Sequence, residues 1–303
     1  MTKPYNGIRP VAPAAFHPDG SLDADGNHRI LECMSDQKVD GICVLANYSE
    51  QFLLSDAERD QLTRLSLKHI DGRVPVMVTI SPFVTDIVME RARQCKALGA
   101  SRYRNDDTPY HGALLKGTAE QTFEQVARVG EVGPPIMLQD APLSGVELTI
   151  PLLTKMAREI KMLNLLKIES VGTAAKLDAL LAAARDHIDG PFDGEEGITL
   201  LADLEAGATG TMTSATMPDQ IKPVVTSFLA GDKAAATAAY ARVLPAINYE
   251  NRQCGFRAAK EAMVEGHVIK SAFCRHPFPR LGGPARATDG TATAPRPYCF
   301  ELG

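Results

Sequence analysis

Short apolar runs of β character alternate with helical stretches at a steady rhythm up to about Pro218, and this alternation constrains the fold more than any other feature of the chain. The runs are Ile8–Ala12, Gly41–Leu45, Val74–Ile80, Ile136–Gln139, Leu163–Ile168 and Gly210–Thr213, with two more near 100–107 and 188–192. Between them a helical pattern covers Ser55–His69, Val84–Leu98, Thr118–Val129, Leu148–Ile160, Thr173–Arg185 and Glu195–Glu205. In the first of these, "SDAER" offers a serine N-cap and acidic residues in the first turn. Eight strands each followed by a helix, in about 220 residues, predict an α/β fold of the (β/α)8 TIM-barrel class. A doubly wound open sheet also alternates, but it usually carries a Gly-rich phosphate loop after its first strand, and "PVAPAAFHPDGS" is not one. Beyond Pro218 only helical pattern remains, over Gln220–Ala230, Lys233–Val243 and Glu250–Glu265. Residues 1–218 are therefore expected to form the barrel and 219–303 a helical C-terminal appendage, with no period in the tail after about 276.

Composition narrows the function classes. At 303 residues, 45% hydrophobic and 23% charged, the chain can bury a large core. A net charge of −5 without a basic block argues against nucleic acid and anionic membrane as partners. No apolar run reaches the length of a membrane span, and "MTKPYNGIRP" lacks a signal-peptide core. Cysteines 33, 43, 95, 254, 274 and 299 are scattered without a CxxC pair, as expected of reduced thiols in a cytoplasmic protein.

Two stretches break the pattern. Where a fourth strand belongs, the chain reads "GASRYRNDDTPY", with Arg102, Arg104, Asp106 and Asp107 in place of apolar residues. The tail "ARATDGTATAPRPYCFELG" has neither helical nor strand period. Compensated one-base frame shifts over 101–108 and 286–303 are one hypothesis, because shifted reading restores an apolar strand and an amphipathic helix. A genuine charged insertion and a disordered tail are the alternative, and resequencing the gene separates the two.

In a barrel, residues at the C-terminal ends of strands face the site. Lys167 stands near the end of the apolar run "LNLLKI" and is followed by Glu169 and Ser170. A lysine in such a run either snorkels into an ion pair or serves as a neutral nucleophile, since an apolar setting disfavours its charge. At the other strand ends stand Asn47, Tyr48 and Ser49 in a polar turn able to hold a carboxylate, Tyr110 and His111, and Gln139 and Asp140. Turn capping is the bland reading for Asn47, Gln139 and Asp140, and a surface histidine for His111. After the last two strands, Gly194 offers close backbone approach, and Thr213 and Ser214 lie in "GATGTMTSA". The seven histidines show no HxH or HExxH spacing, and helix-start charge accounts for Asp193, Glu195 and Glu196, so no metal site is expected.

In order and spacing, "GICVLANYSEQFLLSDAER", "GRVPVMVTI", "TPYHGA", "PIMLQDAPLSG" and "LLKIES" resemble the dihydrodipicolinate synthase / N-acetylneuraminate lyase family over roughly residues 5 to 275. The resemblance implies a class I lysine-imine lyase without a cofactor, Lys167 as the imine-forming residue, and a homotetramer built as a dimer of dimers. It matches the Tyr48–Ser49 turn to the family's G-T-T-G-E loop, which binds a 2-oxo acid carboxylate. Several positions depart from the family pattern. Gln139 replaces the proton-relay tyrosine, Pro142 is followed by Leu143 where the synthase has arginine, and His111 aligns with the tyrosine lent by a neighbouring subunit. Together with "PFDGEE" and "NRQCGFRA", these changes are similar to the branch that dehydrates L-2-keto-3-deoxyarabonate to 2-oxoglutarate semialdehyde.

A small 2-keto-3-deoxy acid is the expected substrate. A 2-keto-3-deoxy acid aldolase or a synthase of the same family is the alternative reaction, and a non-catalytic binding or regulatory barrel the alternative class. An imine at C2 acidifies C3, and loss of the C4 hydroxyl then needs a proton carrier. Tyr48 is the first candidate for that role, a water held by Gln139 the second and His111 the third.

Overall fold

A computed structural model of the chain describes residues 5–81, 84–98, 109–111, 117–133, 135–141, 146–279 and 281, with 109–111 as backbone only. The strands are β1 (Gly7–Ile8), β2 (Ile42–Val44), β3 (Val76–Thr79), β4 (Pro109–His111), β5 (Ile136–Asp140), β6 (Leu163–Ile168), β7 (Gly190–Asp193) and β8 (Gly210–Thr211). The helices are α1 (Ala24–Asp36), α2 (Asp56–Ile70), α3 (Thr85–Ala97), α4 (Ala119–Gly130), α5 (Ile150–Glu159), α6 (Thr173–Ala184) and α7 (Leu200–Glu205). Three more, α8 (Pro218–Leu229), α9 (Lys233–Tyr249) and α10 (Phe256–Glu265), follow the last strand. The sheet order β1-β8-β7-β6-β5-β4-β3-β2 is that of a (β/α)8 barrel, and the late helices are its C-terminal appendage.

The chain forms two compact units, Met1–Gly7 with Pro75–Met212 and Ile8–Val74 with Thr213–Gly303. In the first, β3 to β8 pair in parallel, and side chains alternate between two faces. One register row runs Gln139–Lys167–Phe192–Gly210, and the next runs Asp140–Ile168–Asp193–Thr211. The second row faces the helices, since Asp140 pairs with Lys176 on α6 and Asp193 meets Asp203 on α7. The first row therefore points the other way, where the fully buried Phe192 fills space that Gly210 leaves open. A Cβ at 210 would lie 2.7 Å from the Phe192 ring and 2.1 Å from the Gly7 carbonyl oxygen, so only glycine fits.

The second unit carries the closure that a barrel needs. Val11 bridges both Cys43 and Ser214, with its N–H donating to the Thr213 carbonyl at 2.8 Å. Residues 10–12 thus lie between the second strand and the chain that follows the eighth. An ion cluster ties the appendage to the turn after β2. The ammonium of Lys260 on α10 pairs with the Glu50 carboxylate, both side chains fully buried, and donates to the Phe273 carbonyl at 2.8 Å. It also lies 4.7 Å over the Phe16 ring. The Arg275 N–H holds the other Glu50 oxygen at 2.8 Å, and the Arg275 guanidinium grips Glu58. That grip pulls the Glu58 carboxyl from its ordinary 4.5 down to about 2, so its stabilisation is present above pH 4.5 and lost as pH falls through about 2. Lys260→Met strands a buried carboxylate and is expected to cost about 3–5 kcal/mol. A thermal melt checks this, and an unchanged midpoint would refute it.

Several expected elements shift. The run near 100–107 and both proposed frame-shifted segments lie outside the described residues. The fourth strand is instead Pro109–His111, which the sequence suggests as loop. Helix α1 has no counterpart among the expected helices, because its first turns (Asp25, Gly26, Asn27, His28) carry little helical signal. Its start is fixed by the Asp23 side chain, which accepts from the Gly26 N–H at 2.8 Å. The helix expected from Glu195 begins only at Leu200, since Glu196 and Gly197 take positive φ. Helix α9 runs through Pro245 to Tyr249, while the last expected helix breaks into a π turn and α10 at Gly255.

Candidate active site

Strand β6 answers the question posed by its lysine. Leu163, Leu165 and Lys167 share one face, and the lysine is 4% exposed. Its ammonium lies 3.0 Å from the Glu169 carboxylate, which also accepts a hydrogen bond from the Gln139 amide on β5. The Glu169 N–H donates to the Asp140 carbonyl at 2.9 Å, so the ladder continues one residue past β6 and keeps Glu169 on the face of Lys167. A carboxylate thus joins an amine to a neutral amide that can only orient it. This arrangement can form an imine and carry a proton beside it.

Gly194, in the turn after β7, packs on the stem of that lysine. A Cβ there would lie 2.9 Å from Lys167 Cγ, 3.0 Å from Glu169 Cβ and 2.7 Å from the Ile168 carbonyl oxygen. Its missing side chain therefore makes room for the lysine. Asp140 points to the helix layer and is bound by Lys176 at 2.7 Å. The backbones of Tyr110 and His111 pair with Met137 and Leu138 of β5, while their side chains lie outside the description.

In the second unit, Asn47, Tyr48 and Ser49 form a single 3₁₀ turn after β2. The Ser49 hydroxyl donates to the Ala12 carbonyl at 2.5 Å and accepts from the Ala46 N–H at 3.2 Å, which fixes the turn. The Asn47 side-chain amide oxygen accepts from the Gln51 side-chain amide, and the Tyr48 ring meets Phe256 edge-on at 6.2 Å. Glu50 closes the turn at φ 57 and is held there by Lys260. The Thr213 hydroxyl donates to the Ser214 carbonyl at 2.9 Å, and the Ser214 hydroxyl donates to that of Thr216 at 2.8 Å, so both hydroxyl protons are held within their own turn while their lone pairs can still accept.

Glu169 is the functional candidate that the expected set lacks. Its signal was present in the sequence, since K-x-E at a strand end places both charges on one face. Among the described residues, no cluster of three or more His, Cys, Asp or Glu side chains is placed to hold a metal ion. No helix among them is long and apolar enough to cross a membrane. The described cysteines, Cys33, Cys43, Cys95, Cys254 and Cys274, are buried free thiols.

Comparison with known proteins bears on this geometry. The profile of the Dihydrodipicolinate synthetase family matches residues 4–288. The L-2-keto-3-deoxyarabonate dehydratase of Azospirillum brasilense is 47% identical over 287 residues, which is 94% of this chain and 93% of that one. The 4-hydroxy-tetrahydrodipicolinate synthase of Stenotrophomonas maltophilia is 29% identical over 69% of this chain and 68% of its own. In fold, the dihydrodipicolinate synthase of Rhodopseudomonas palustris superposes with a TM-score of 0.88 at 24% identity, covering 96% of this chain and 98% of that one.

Proposed function

The chain belongs to the dihydrodipicolinate synthetase family, and from that premise we propose that it dehydrates L-2-keto-3-deoxyarabonate to 2-oxoglutarate semialdehyde and water through an imine on Lys167. It is a lyase of that family. The 47% identity to a dehydratase of that substrate, against 29% to a synthase, supports the dehydrating branch. The observation that carries the mechanism is the contact of Lys167 with Glu169, with Gln139 on the same carboxylate.

The Lys167 ammonium gives a proton to Glu169, the free amine attacks C2 of the keto acid, and the Glu169 carboxyl returns that proton to the departing hydroxyl, so that water leaves and a protonated imine forms. A carboxylate at Glu169 then takes a C3 proton to give the enamine. The C4–O bond breaks as the carboxyl returns that proton to the departing hydroxyl. Loss of a C5 proton and of the C5 hydroxyl proton, with protonation at C3 and C4, gives the aldehyde, and hydrolysis of the imine frees Lys167. One water is lost overall. Glu169 thus takes the place of Tyr48 as first carrier, and Gln139 orients it. The turn Asn47–Ser49 is assigned to the substrate carboxylate on the strength of the family match. A homotetramer in the cytoplasm, with no cofactor beyond the lysine imine, completes the reading.

Proton NMR of the product tests the reaction. The semialdehyde alone is expected from L-2-keto-3-deoxyarabonate. Pyruvate with glycolaldehyde would show C3–C4 cleavage and place the enzyme in the aldolase branch.

A further inference from the structure

We propose that Asp193 and Asp203 share one buried proton, and that this acid pair positions Lys167 through the turn that follows β7. The inference rests on the reading of Lys167 as the imine-forming residue. Both aspartates are 0% exposed. The donors around them are already assigned. Thr211 on β8 donates its hydroxyl to Asp193 Oδ2, and the Glu195 N–H donates to Asp193 Oδ1 at 3.2 Å. The Thr199 hydroxyl donates to Asp203 Oδ2 at 2.6 Å. Asp203 Oδ1, also buried, meets no donor among the described residues.

A buried carboxylate oxygen without a donor is costly, and two ionised carboxylates in contact repel. A single proton between them removes both penalties. Burial, then the neighbouring Asp203 charge, pushes the Asp193 carboxyl up to about 7, and burial raises Asp203 as well. The other groups facing the pair give no relief. The turn brings Glu195, another acid, and Thr199, while β8 brings Thr211 and β6 the apolar Ile168.

The link to the lysine is short. Asp193 accepts from the Glu195 N–H and so fixes Gly194 between them. Gly194 is the wall against the Lys167 stem, at 2.9 Å for the missing Cβ. Phe192, just before, is in register with Lys167. Loss of the shared proton puts two charges in contact, and the segment that relaxes is the one holding the lysine. Asp193 and Asp203 are thus positioning residues.

The test compares wild type with Asp203→Asn from pH 6 to pH 9, by turnover of L-2-keto-3-deoxyarabonate and by the rate of borohydride trapping with pyruvate. The amide in Asp203→Asn keeps the shape of the carboxyl, accepts from Thr199 and donates a proton that does not titrate. The ratio of variant to wild-type rate is expected to rise with pH by about tenfold, as the wild-type pair ionises. A ratio independent of pH would overturn the proposal, because a merely structural pair would scale both rates alike. Should that variant not fold, Asp193→Asn offers the same donor from the other side and the same expected trend.

Thermal unfolding gives a readout without chemistry. The folded pKa of Asp193 is raised, so its stabilisation is full below about pH 4 and lost as pH rises through about 7. The wild-type midpoint should fall over that window relative to Asp203→Asn, and parallel curves would refute the shared proton. If wild type neither turns over nor traps pyruvate, the imine reading fails and the positioning role falls with it, while the melting curves still decide the shared proton.

Discussion

Lys167→Arg is expected to abolish turnover, by on the order of 10⁴-fold or more in kcat, while leaving the fold intact. The guanidinium keeps a positive charge within reach of Glu169 but stays protonated and cannot attack a carbonyl. The substitution therefore separates two readings of a buried lysine that a sequence leaves open. If the Lys167–Glu169 pair were only structural, the arginine would preserve it and activity would survive. If the amine is the nucleophile, activity disappears although the charge remains. Steady-state turnover checks this, with circular dichroism to confirm folding.

Glu169→Gln is expected to lower kcat by about 10²–10⁴-fold, the range for losing a positioned general acid–base. Imine trapping on Lys167 should persist, because the amine and its strand are untouched. The Gln139 amide would then face another amide in place of a carboxylate. Tyr48→Phe serves as the comparison. Its ring lies against Phe256, and the proposed relay uses no phenol, so its effect should be within about tenfold. The reverse result, a mild Glu169→Gln and a severe Tyr48→Phe, would return the proton to the turn after β2.

The barrel was legible because its signal is periodic and redundant. Leu163–Ile168 is an apolar run with matching bounds in the structure, and Ser55 and Thr118 are capping-box residues three positions before Glu58 and Gln121. Where the signal is a single local choice, it was missed. The polar first turns of α1 read as loop, and positive φ at Glu196 and Gly197 delays α7 in a stretch whose composition suits a helix. Pro245 looks like a stop, yet α9 continues past it to Tyr249.

At the site, the sequence showed which residues end the strands but not where each side chain is committed. Asp140 and Lys176 are 36 positions apart, so no local pattern reveals that the carboxylate faces the helices. The bonds of Ser49 to Ala12 and of Lys260 to Glu50 are hidden for the same reason. Glu169, by contrast, is legible in the sequence, as the acid of a K-x-E pair at a strand end. Its two-residue offset from Lys167 was the usable clue.

The most direct test of the account is the intact mass of the wild-type protein after borohydride reduction with L-2-keto-3-deoxyarabonate, with peptide mapping of the adduct. An adduct on Lys167 with the mass of the dehydrated, reduced substrate is the predicted result. An adduct on another residue, or none with this acid or with pyruvate, would contradict the imine on Lys167.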